Sequence, residues 1–349
     1  MSRSRLSDIA DACSVSISTA SRALAGHKGV RSDLRQRILE AARAANYPVA
    51  LDLTGSRVVV AASRAAMTDY SRTQFTWHVL EGLKSRSAAR GFVVELQPLA
   101  DDADAAEQLA GSPAVADATG ILLLTVDDPR VLALVAESGK PAVLINGDDP
   151  LMRISSVSPC NRSAARLACD YLLGLGHREV AFVMRPGRET IWRRLEGWRD
   201  ALAARGYTGS DERVLRVSDW VPEEAERVFG EAFDSGRLAG VTGVLCAGDT
   251  LALGVLAALS ARGIACPDKV SVVGIDDLPI SDLLKPRLTT MHIPARELGE
   301  TAIDMLADQA LHRQRMARRV ELACQLIVRE SSGRNGFTSS EDSSSSGER

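Results

Sequence analysis

The chain has 349 residues, of which 45% are hydrophobic and 25% charged, and its formal net charge is −3; this is the profile of an ordinary soluble protein large enough for more than one domain. The six cysteines are scattered, with no Cys-x-x-Cys and no nearby histidine pair, and no apolar run approaches the roughly 18 residues of a membrane span. The scattered cysteines argue against a metal site. Because the first residues lead into a polar helix and not into a signal peptide, we expect a cytoplasmic protein.

The charge is distributed unevenly along the chain. Residues 1–50 carry eight arginine and lysine residues against four acidic ones, which leaves 34 against 41 for the rest. A basic head on an acidic body is the electrostatic pattern of a DNA-binding module joined to a second function.

Three short helices are predicted in this basic head. The first spans residues 6–13 with Ser7 as its N-cap, and a turn of about three residues separates it from a second helix capped by Ser16. Ser32 is the predicted N-cap of a third helix over residues 33–46. Two helices joined by so short a turn and followed by a third predict a helix-turn-helix unit.

The second helix, within residues 15–24, has two unlike faces at about 100° per residue. One face carries Ile17, Ser18, Ser21 and Arg22. The opposite face carries Ala20, Ala23 and Leu24. An ordinary surface helix is the alternative interpretation of such a segment taken alone. The polar face suits the major groove, where arginine can donate twice to guanine and an apolar group can meet a thymine methyl.

In these residues the head resembles the LacI/GalR family of bacterial repressors. The matching positions are Leu6, Asp8, Ile9, Ala10, Val15, Ser16, Thr19, Ser21, Arg22, Leu24, Val30, Arg35, Ile38, Ala42, Asn46 and Tyr47. The resemblance implies binding to a double-stranded DNA operator. Helix faces and family motif together assign base reading to Ile17, Ser18 and Arg22. The residues expected to hold DNA phosphates are Ser7, Ser16, Thr19, Ser21 and Arg31.

Residues 48–57 form the predicted linker between head and body. In the LacI/GalR family this segment usually carries an Asn and an Ala-Arg-x-Leu run, which forms a hinge helix whose leucine enters the minor groove. That run is absent here, although residues 49–53 can still form one helical turn. Because the segment has no apolar face to bury alone, we expect it to order only on DNA. Leu51 and Leu53 are the candidate leucine wedges.

From residue 58 the pattern changes to buried strands that alternate with helices. Continuous apolar runs typical of parallel strands occupy residues 58–62, 92–96, 120–124, 142–145, 180–183, 244–246 and 270–273. Helices of roughly 10–15 residues separate most of these runs, which predicts doubly wound parallel sheets.

The resemblance continues along this body, in motifs such as Leu175-Gly176-His177-Arg178. It implies a two-lobed body like that of periplasmic sugar-binding proteins, with chain crossings that make each lobe discontinuous. The predicted fold class is therefore multi-domain: a small all-α helix-turn-helix head (1–47), the linker (48–57) and an α/β body (58–331). Lobe 1 is expected at about 58–157 plus 291–320 and lobe 2 at about 158–290 plus 321–331. The Ser-rich residues 332–349 are predicted to be a disordered tail.

The ligand-binding candidates lie in the second lobe. Asp249 and Asp276 come just past predicted strands, at the edge where open α/β sheets bind ligands, although a capping role is the alternative for each. Arg194 begins a helix that follows another strand and can face the same cleft, with a position on the helix surface as the alternative. Trp192 or Trp220 can stack on a ring, or either can belong to the core. His177, between a helix and a strand, is interpreted as structural.

No motif for catalysis is found. The chain lacks a Gly-x-Ser-x-Gly elbow, a phosphate loop, a His-Glu-x-x-His motif and a dinucleotide fingerprint, so no catalytic residue and no cofactor are expected. A ligand-responsive transcriptional regulator explains both the basic head and the α/β body. A solute-binding protein of the periplasmic type and an α/β enzyme with an appended helical domain are the alternatives.

The regulator is expected to act as a homodimer, because two-fold pairing doubles the base contacts that one head makes on a palindromic operator. The expected effector is a sugar or sugar acid, whose vicinal hydroxyls match carboxylates such as Asp249 and Asp276. A nucleobase held between Tyr70 and Phe75 is the alternative ligand.

Overall fold

A computed structural model describes residues 5–24, 29–45, 47, 53–68, 70–100, 104–312 and 316–335. Within those ranges no helix is long and apolar enough to cross a lipid bilayer. No cluster of histidine, cysteine and acidic side chains in the same ranges is placed to hold a metal ion. All six cysteines are free thiols.

The basic head folds as three helices, α1 (Leu6–Ala12), α2 (Ile17–Leu24) and α3 (Ser32–Ala44). They enclose a small apolar core of their own, whose largest fully buried side chains are Ile9 and Ile38. The predicted helix-turn-helix unit is confirmed.

The helix starts in the head differ from the prediction in α1 and in α3. Helix α3 begins at Ser32 itself, the residue predicted as its N-cap. Helix α1 begins before Ser7, and the carboxylate of Asp8 accepts the backbone N–H of Arg5 at 2.8 Å. Ser7 lies in the first turn of α1 and is therefore not the N-cap, which is Arg5. The cap predicted for α2 is confirmed, since the Oγ of Ser16 accepts the backbone N–H of Thr19 at 3.1 Å.

Twelve strands and ten further helices make up the described body. The strands are β1 (Arg57–Ser63), β2 (Val93–Leu99), β3 (Gly120–Leu124), β4 (Ala142–Ile145), β5 (Ser155–Pro159), β6 (Val180–Met184), β7 (Val214–Arg216), β8 (Gly243–Cys246), β9 (Ser271–Asp276), β10 (Thr289–His292), β11 (Arg319–Leu322) and β12 (Gln325–Ile327). The helices are α4 (Arg64–Thr68), α5 (Tyr70–Arg90), α6 (Ala105–Ala110), α7 (Pro113–Asp117), α8 (Pro129–Glu137), α9 (Asn161–Gly174), α10 (Glu189–Ala204), α11 (Pro222–Asp234), α12 (Asp249–Ala261) and α13 (Ala295–His312).

These strands form two six-stranded sheets, one in each lobe. The first has the order β11-β5-β4-β3-β1-β2 and is parallel throughout. The second has the order β12-β10-β9-β8-β6-β7, in which only the edge strand β12 runs antiparallel to its neighbour. The predicted two-lobed α/β body is confirmed.

The chain crosses between the lobes three times, after β5, after β10 and after β11. These strands end at residues 159, 292 and 322, so each crossing lies two residues beyond the boundary expected at 157, 290 and 320. Each of these three strands stays paired within its own sheet up to its last residue. The chain therefore leaves each lobe later in the sequence than expected. Sequence patterns missed β5 because its residues Ser-Ser-Val-Ser-Pro are polar, although all five are buried.

The predicted tail begins later than residue 332. His177 is buried, with its Nε2–H donating to the carbonyl of Gly333 at 3.1 Å and its Nδ1 accepting from the hydroxyl of Thr242 at 2.9 Å. The N–H of Asn335 donates to the carbonyl of Leu175 at 2.9 Å. These bonds attach residues 332–335 to the second lobe and confirm a structural role for His177, whose pKa is lowered by burial. Residues 336–349 lie outside the described residues.

Helices α9 and α10 cover the second sheet and pack closely because of one glycine. A Cβ built on Gly197 of α10 overlaps the carbonyl oxygen of Arg162 on α9. By contrast, nothing lies within 4 Å of a Cβ built on Gly174, at the end of α9. The approach of α10 to the body therefore depends on Gly197.

We predict that Gly197→Ala destabilises the body by roughly 1–3 kcal/mol, because the two helices must separate to admit the methyl group. The matched variant Gly174→Ala should be neutral or slightly stabilising, since alanine favours helix and the site is open. Thermal unfolding followed by circular dichroism measures both. Equal melting temperatures for the two variants would contradict the close approach.

Candidate functional site

Helix α2 presents to solvent the face that the sequence predicts. Ile17 is 54% exposed, a high value for an isoleucine. Ser18, Ser21 and Arg22 are also exposed. The opposite face is buried in the core of the head, through Ala20, Ala23 and Leu24. An apolar side chain left in water beside an arginine and two hydroxyls is the chemistry that reads base edges in a major groove.

The residues expected to hold phosphates lie around this face. The hydroxyls of Ser16 and Thr19 are 2.8 Å apart and share a hydrogen bond. The Ser7 hydroxyl donates to the carboxylate of Asp8 at 3.3 Å, and Ser7 is half-buried. Arg31 is exposed. Arg31 and Ser16 are therefore open to solvent, whereas Ser7 is partly engaged within α1.

The two leucines expected in the linker have different outcomes. Leu51 lies outside the described residues. Leu53 is half-buried and packs against the main apolar core of the body. Insertion of Leu53 into DNA would require it to leave that contact.

A cavity of about 360 Å³ lies between the two lobes. Most of its lining residues follow the carboxyl ends of strands in both sheets or lie in the first turns of the helices after them. They are Ser63, Ala65, Ala66, Phe75, Thr76, Thr125, Asn146, Arg185, Arg188, Thr190, Ile191, Arg194, Trp220, Thr250, Asp276 and Leu278. This position is the one that open α/β sheets use for ligands, and the volume suits a small molecule.

Arg194 is the buried cation at the floor of this cavity, with 4% of its surface exposed. Its Nε donates to the side-chain oxygen of Asn161 at 2.8 Å, and its Nη1 donates to the carbonyl of Ala247. Both Nη atoms lie 3.4 Å from one carboxylate oxygen of Asp276. A buried guanidinium held on three sides is fixed in position and can present its remaining N–H groups to a ligand.

Asp276 faces Arg194 at the end of β9, and its side chain is 20% exposed. Burial raises the pKa of this carboxyl to about 7, against the opposing effect of the Arg194 charge. Its backbone has φ +128°, a conformation that L side chains rarely adopt. The strained backbone aims an ionisable acceptor into the cavity.

Asp249 does not line the cavity, so the ligand contact predicted for it is wrong. One of its carboxylate oxygens accepts the hydroxyl of Thr290 at 2.6 Å. The other accepts the N–H of Leu278 at 2.9 Å and the hydroxyl of Ser281 at 2.7 Å. Asp249 is fully buried, which raises its pKa, and it holds the loop after β9 that carries Leu278 into the cavity wall.

Some of the aromatic candidates line the cavity and others do not. Trp220 and Phe75 line the cavity, as the sequence predicts. Trp192 does not, because the first turn of α10 turns it outward, where it is 37% exposed. The side chain of Tyr70 lies outside the described residues.

Several cavity residues were not predicted. Among the residues that line the cavity, three buried side-chain oxygens lack a hydrogen-bond partner, the Oγ1 of Thr125, the Oδ1 of Asn146 and the Oγ1 of Thr190. Thr125 and Asn146 directly follow β3 and β4, which is the signal that would have found them. Unpartnered buried oxygens are costly, and a polar ligand would satisfy them.

Arg185 and Arg188, at the entrance to α10, were missed as well. Arg188 reaches from the second lobe to the first, where its Nη2 donates to the carbonyl of Asn146 and its Nε lies 3.3 Å from the carboxylate of Asp127. Arg193 makes a second bridge between lobes, 3.5 Å from the carboxylate of Asp148. The N-cap and first turns of α10 thus carry two of the cavity cations, Arg188 and Arg194, and the ionic contacts that join the lobes.

The raised pKa of Asp276 gives a pH-dependence of stability. The unfolded chain releases this proton near pH 4, whereas the folded protein keeps it to about pH 7. We predict that wild type loses stability relative to Asp276→Asn as the pH rises from 4 to 7, by at most about 1.4 kcal/mol per pH unit. Above pH 7 the difference should be constant. Chemical unfolding of both proteins at each pH measures it, and a difference independent of pH would contradict the buried carboxyl.

Comparisons with known proteins agree with both parts of this site. Residues 5–48 match the family model described as bacterial regulatory proteins, lacI family. Residues 169–332 match a periplasmic binding protein-like domain. An uncharacterized HTH-type transcriptional regulator from the aml 5′ region of Streptomyces limosus is 32% identical over 333 residues, which covers 94% of each chain.

Solved structures give the same result. The transcriptional regulator CelR in complex with cellobiose has a TM-score of 0.72 and 26% identity, over 94% of this chain and 100% of that chain. The Lac repressor dimer bound to operator and the anti-inducer ONPF shares the fold, with a TM-score of 0.70 and 24% identity over 95% of this chain and 100% of that chain. The chain therefore belongs to the LacI family of bacterial regulatory proteins, and it is a helix-turn-helix transcriptional regulator and not an enzyme.

Proposed function

We propose that this regulator is a cytoplasmic repressor that binds a palindromic operator as a homodimer and responds to a small polar ligand in the interlobe cavity. The observation that carries this proposal is the pair of sites in one chain. The head exposes Ile17 beside Arg22, and the body holds three unpartnered buried oxygens around the Arg194–Asp276 pair. DNA would cover the exposed Ile17 and pair with Arg22. A polar ligand would supply hydrogen bonds to the three buried oxygens.

On the operator, Ile17, Ser18 and Arg22 are proposed to read bases. Their exposure on one face of α2 supports this assignment. Phosphate contacts are proposed for Ser7, Ser16, Thr19, Ser21 and Arg31. In the linker, Leu51 is the remaining candidate for a minor-groove wedge, since Leu53 packs on the body.

The proposed ligand is a sugar or sugar acid. Hydroxyl and amide oxygens of Thr125, Asn146 and Thr190 match vicinal hydroxyls, and Trp220 offers an apolar face to a ring. A bound sugar in the related CelR complex supports the same class.

The homodimer proposal is supported by exposed apolar side chains on both lobes. Trp77, Val93 and Leu96 are 59%, 53% and 38% exposed in the first lobe, where β2 is an edge strand. Leu283 and Val328 are 76% and 56% exposed in the second. Exposed apolar groups of this size, with Val93 and Leu96 on the edge strand β2, are typical of surfaces that a second chain covers. The Lac repressor, which shares this fold, is a dimer on its operator.

We predict that Arg22→Ala weakens binding to the operator by roughly 1–3 kcal/mol and relaxes discrimination at one base pair, because a bidentate contact to guanine is lost. Thr19→Ala, at a proposed phosphate contact, should weaken all duplexes more evenly. Operator selection from random DNA, followed by titration of cognate and random duplexes, measures both. Equal losses of Arg22→Ala on both duplexes would remove Arg22 from the base-reading set.

We predict that a thermal-shift screen of neutral sugars, sugar acids and nucleobases finds a ligand that stabilises the protein. At a hundred times its dissociation constant a ligand adds about 2.7 kcal/mol. Thr190→Val should weaken that ligand about tenfold, because it removes a hydrogen bond at constant volume. Thr208→Val, on an exposed residue outside the cavity lining, is the matched control. Identical affinities for both variants would place the ligand elsewhere.

A further inference from the structure

Three arginines, Arg185, Arg188 and Arg194, line the interlobe cavity. Two of them already have a carboxylate partner. Arg194 lies 3.4 Å from Asp276, and Arg188 lies 3.3 Å from Asp127. Each of these pairs is neutral when both members are ionised, so neither requires charge from a ligand.

Arg185 is different. Its Nε donates to the carbonyl of Ser218 at 3.3 Å and its Nη1 to the carbonyl of Pro186 at 3.4 Å. Among the described residues, the partners of its guanidinium are these carbonyls and no carboxylate, and the Arg185 side chain is partly buried. A partly dehydrated cation with long, neutral contacts retains most of its capacity to bind an anion.

The rest of the cavity wall does not supply that negative charge. Besides Asp276 and the three arginines, the lining contains only neutral polar and apolar side chains of the described residues, and Asp276 is opposed by Arg194. The cavity, as far as its residues are described, therefore has an excess of positive charge at Arg185, just before the N-terminus of α10. A guanidinium fork matches a carboxylate or a phosphate in shape as well as in charge.

We propose that the effector is an anionic, polyhydroxylated molecule whose carboxylate or phosphate group binds Arg185. This inference rests on the proposed function, since it names the chemical class of the ligand in the same cavity. The hydroxyls of the ligand would contact Thr125, Asn146 and Thr190, and the anionic group would lie on the side of Arg185. Arg185 thus determines specificity, because a neutral sugar of the same size leaves its charge unpaired.

The first test uses inorganic phosphate as the probe of the anion subsite. Melting temperatures of the full chain are measured in phosphate and in chloride at equal ionic strength and pH. Phosphate should stabilise wild type and Arg178→Gln, an exposed arginine outside the cavity lining, but should stabilise Arg185→Gln less. Arg185→Lys, which keeps the charge, should recover part of the effect. An equal phosphate effect in wild type and Arg185→Gln would overturn the inference.

The second test separates the two sources of negative charge. Calorimetric titrations compare neutral sugars with their aldonic acids, uronic acids and sugar phosphates at constant ionic strength. One acidic class should bind at least about tenfold tighter than its neutral parent, and Arg185→Gln should remove that preference. Binding of a neutral sugar with no preference for its acids would overturn the inference but leave the proposed function intact. Failure of every polyhydroxylated class would contradict the proposed function itself.

Discussion

The hydrogen bonds of the buried Arg194 guanidinium are the interactions on which the ligand cavity of the body depends. A cation with 4% exposure is tolerated only when its N–H groups are satisfied, and here Asn161, the carbonyl of Ala247 and Asp276 share that task. Those partners come from the start of α9, the end of β8 and the end of β9. One arginine therefore fixes the relative positions of three chain segments, and the cavity floor is rigid before any ligand arrives.

The cavity is connected to the arrangement of the lobes through α10. The same helix carries Arg194 at the floor and Arg193, which pairs with Asp148 of the first lobe, while Arg188 at its N-cap pairs with Asp127. A ligand that contacts Arg188 or the unpartnered oxygen of Asn146 therefore changes contacts that also join the lobes. Such a ligand has a different affinity for different lobe arrangements, which is the physical requirement for control of a distant DNA-binding head.

The helices of the head and the architecture of the body could be predicted from the sequence, because both follow from the local spacing of apolar and polar residues. The two faces of α2 and the apolar strand runs need no knowledge of distant residues. The cavity was predicted only in part. Arg194, Asp276, Trp220 and Phe75 line it, but Asp249 satisfies three donors inside the protein and Trp192 turns outward. Whether a residue after a strand faces a cavity or a buried loop depends on which segment packs against it. Thr125, Asn146 and Arg185 also follow strands directly, but position after a strand does not by itself distinguish a residue that lines the cavity from one that does not.

Ligand binding by the cavity and DNA binding by the head should be thermodynamically linked. The most direct test of that link compares the affinity of one ligand for the free protein and for the operator-bound protein. The ligand found by thermal shift is titrated into the free regulator and into its complex with the selected operator. Because coupling is reciprocal, the two affinities should differ by the same factor, typically about 5–150-fold, by which the ligand changes operator affinity. Equal ligand affinities in the free and operator-bound protein would show that the cavity does not control the head.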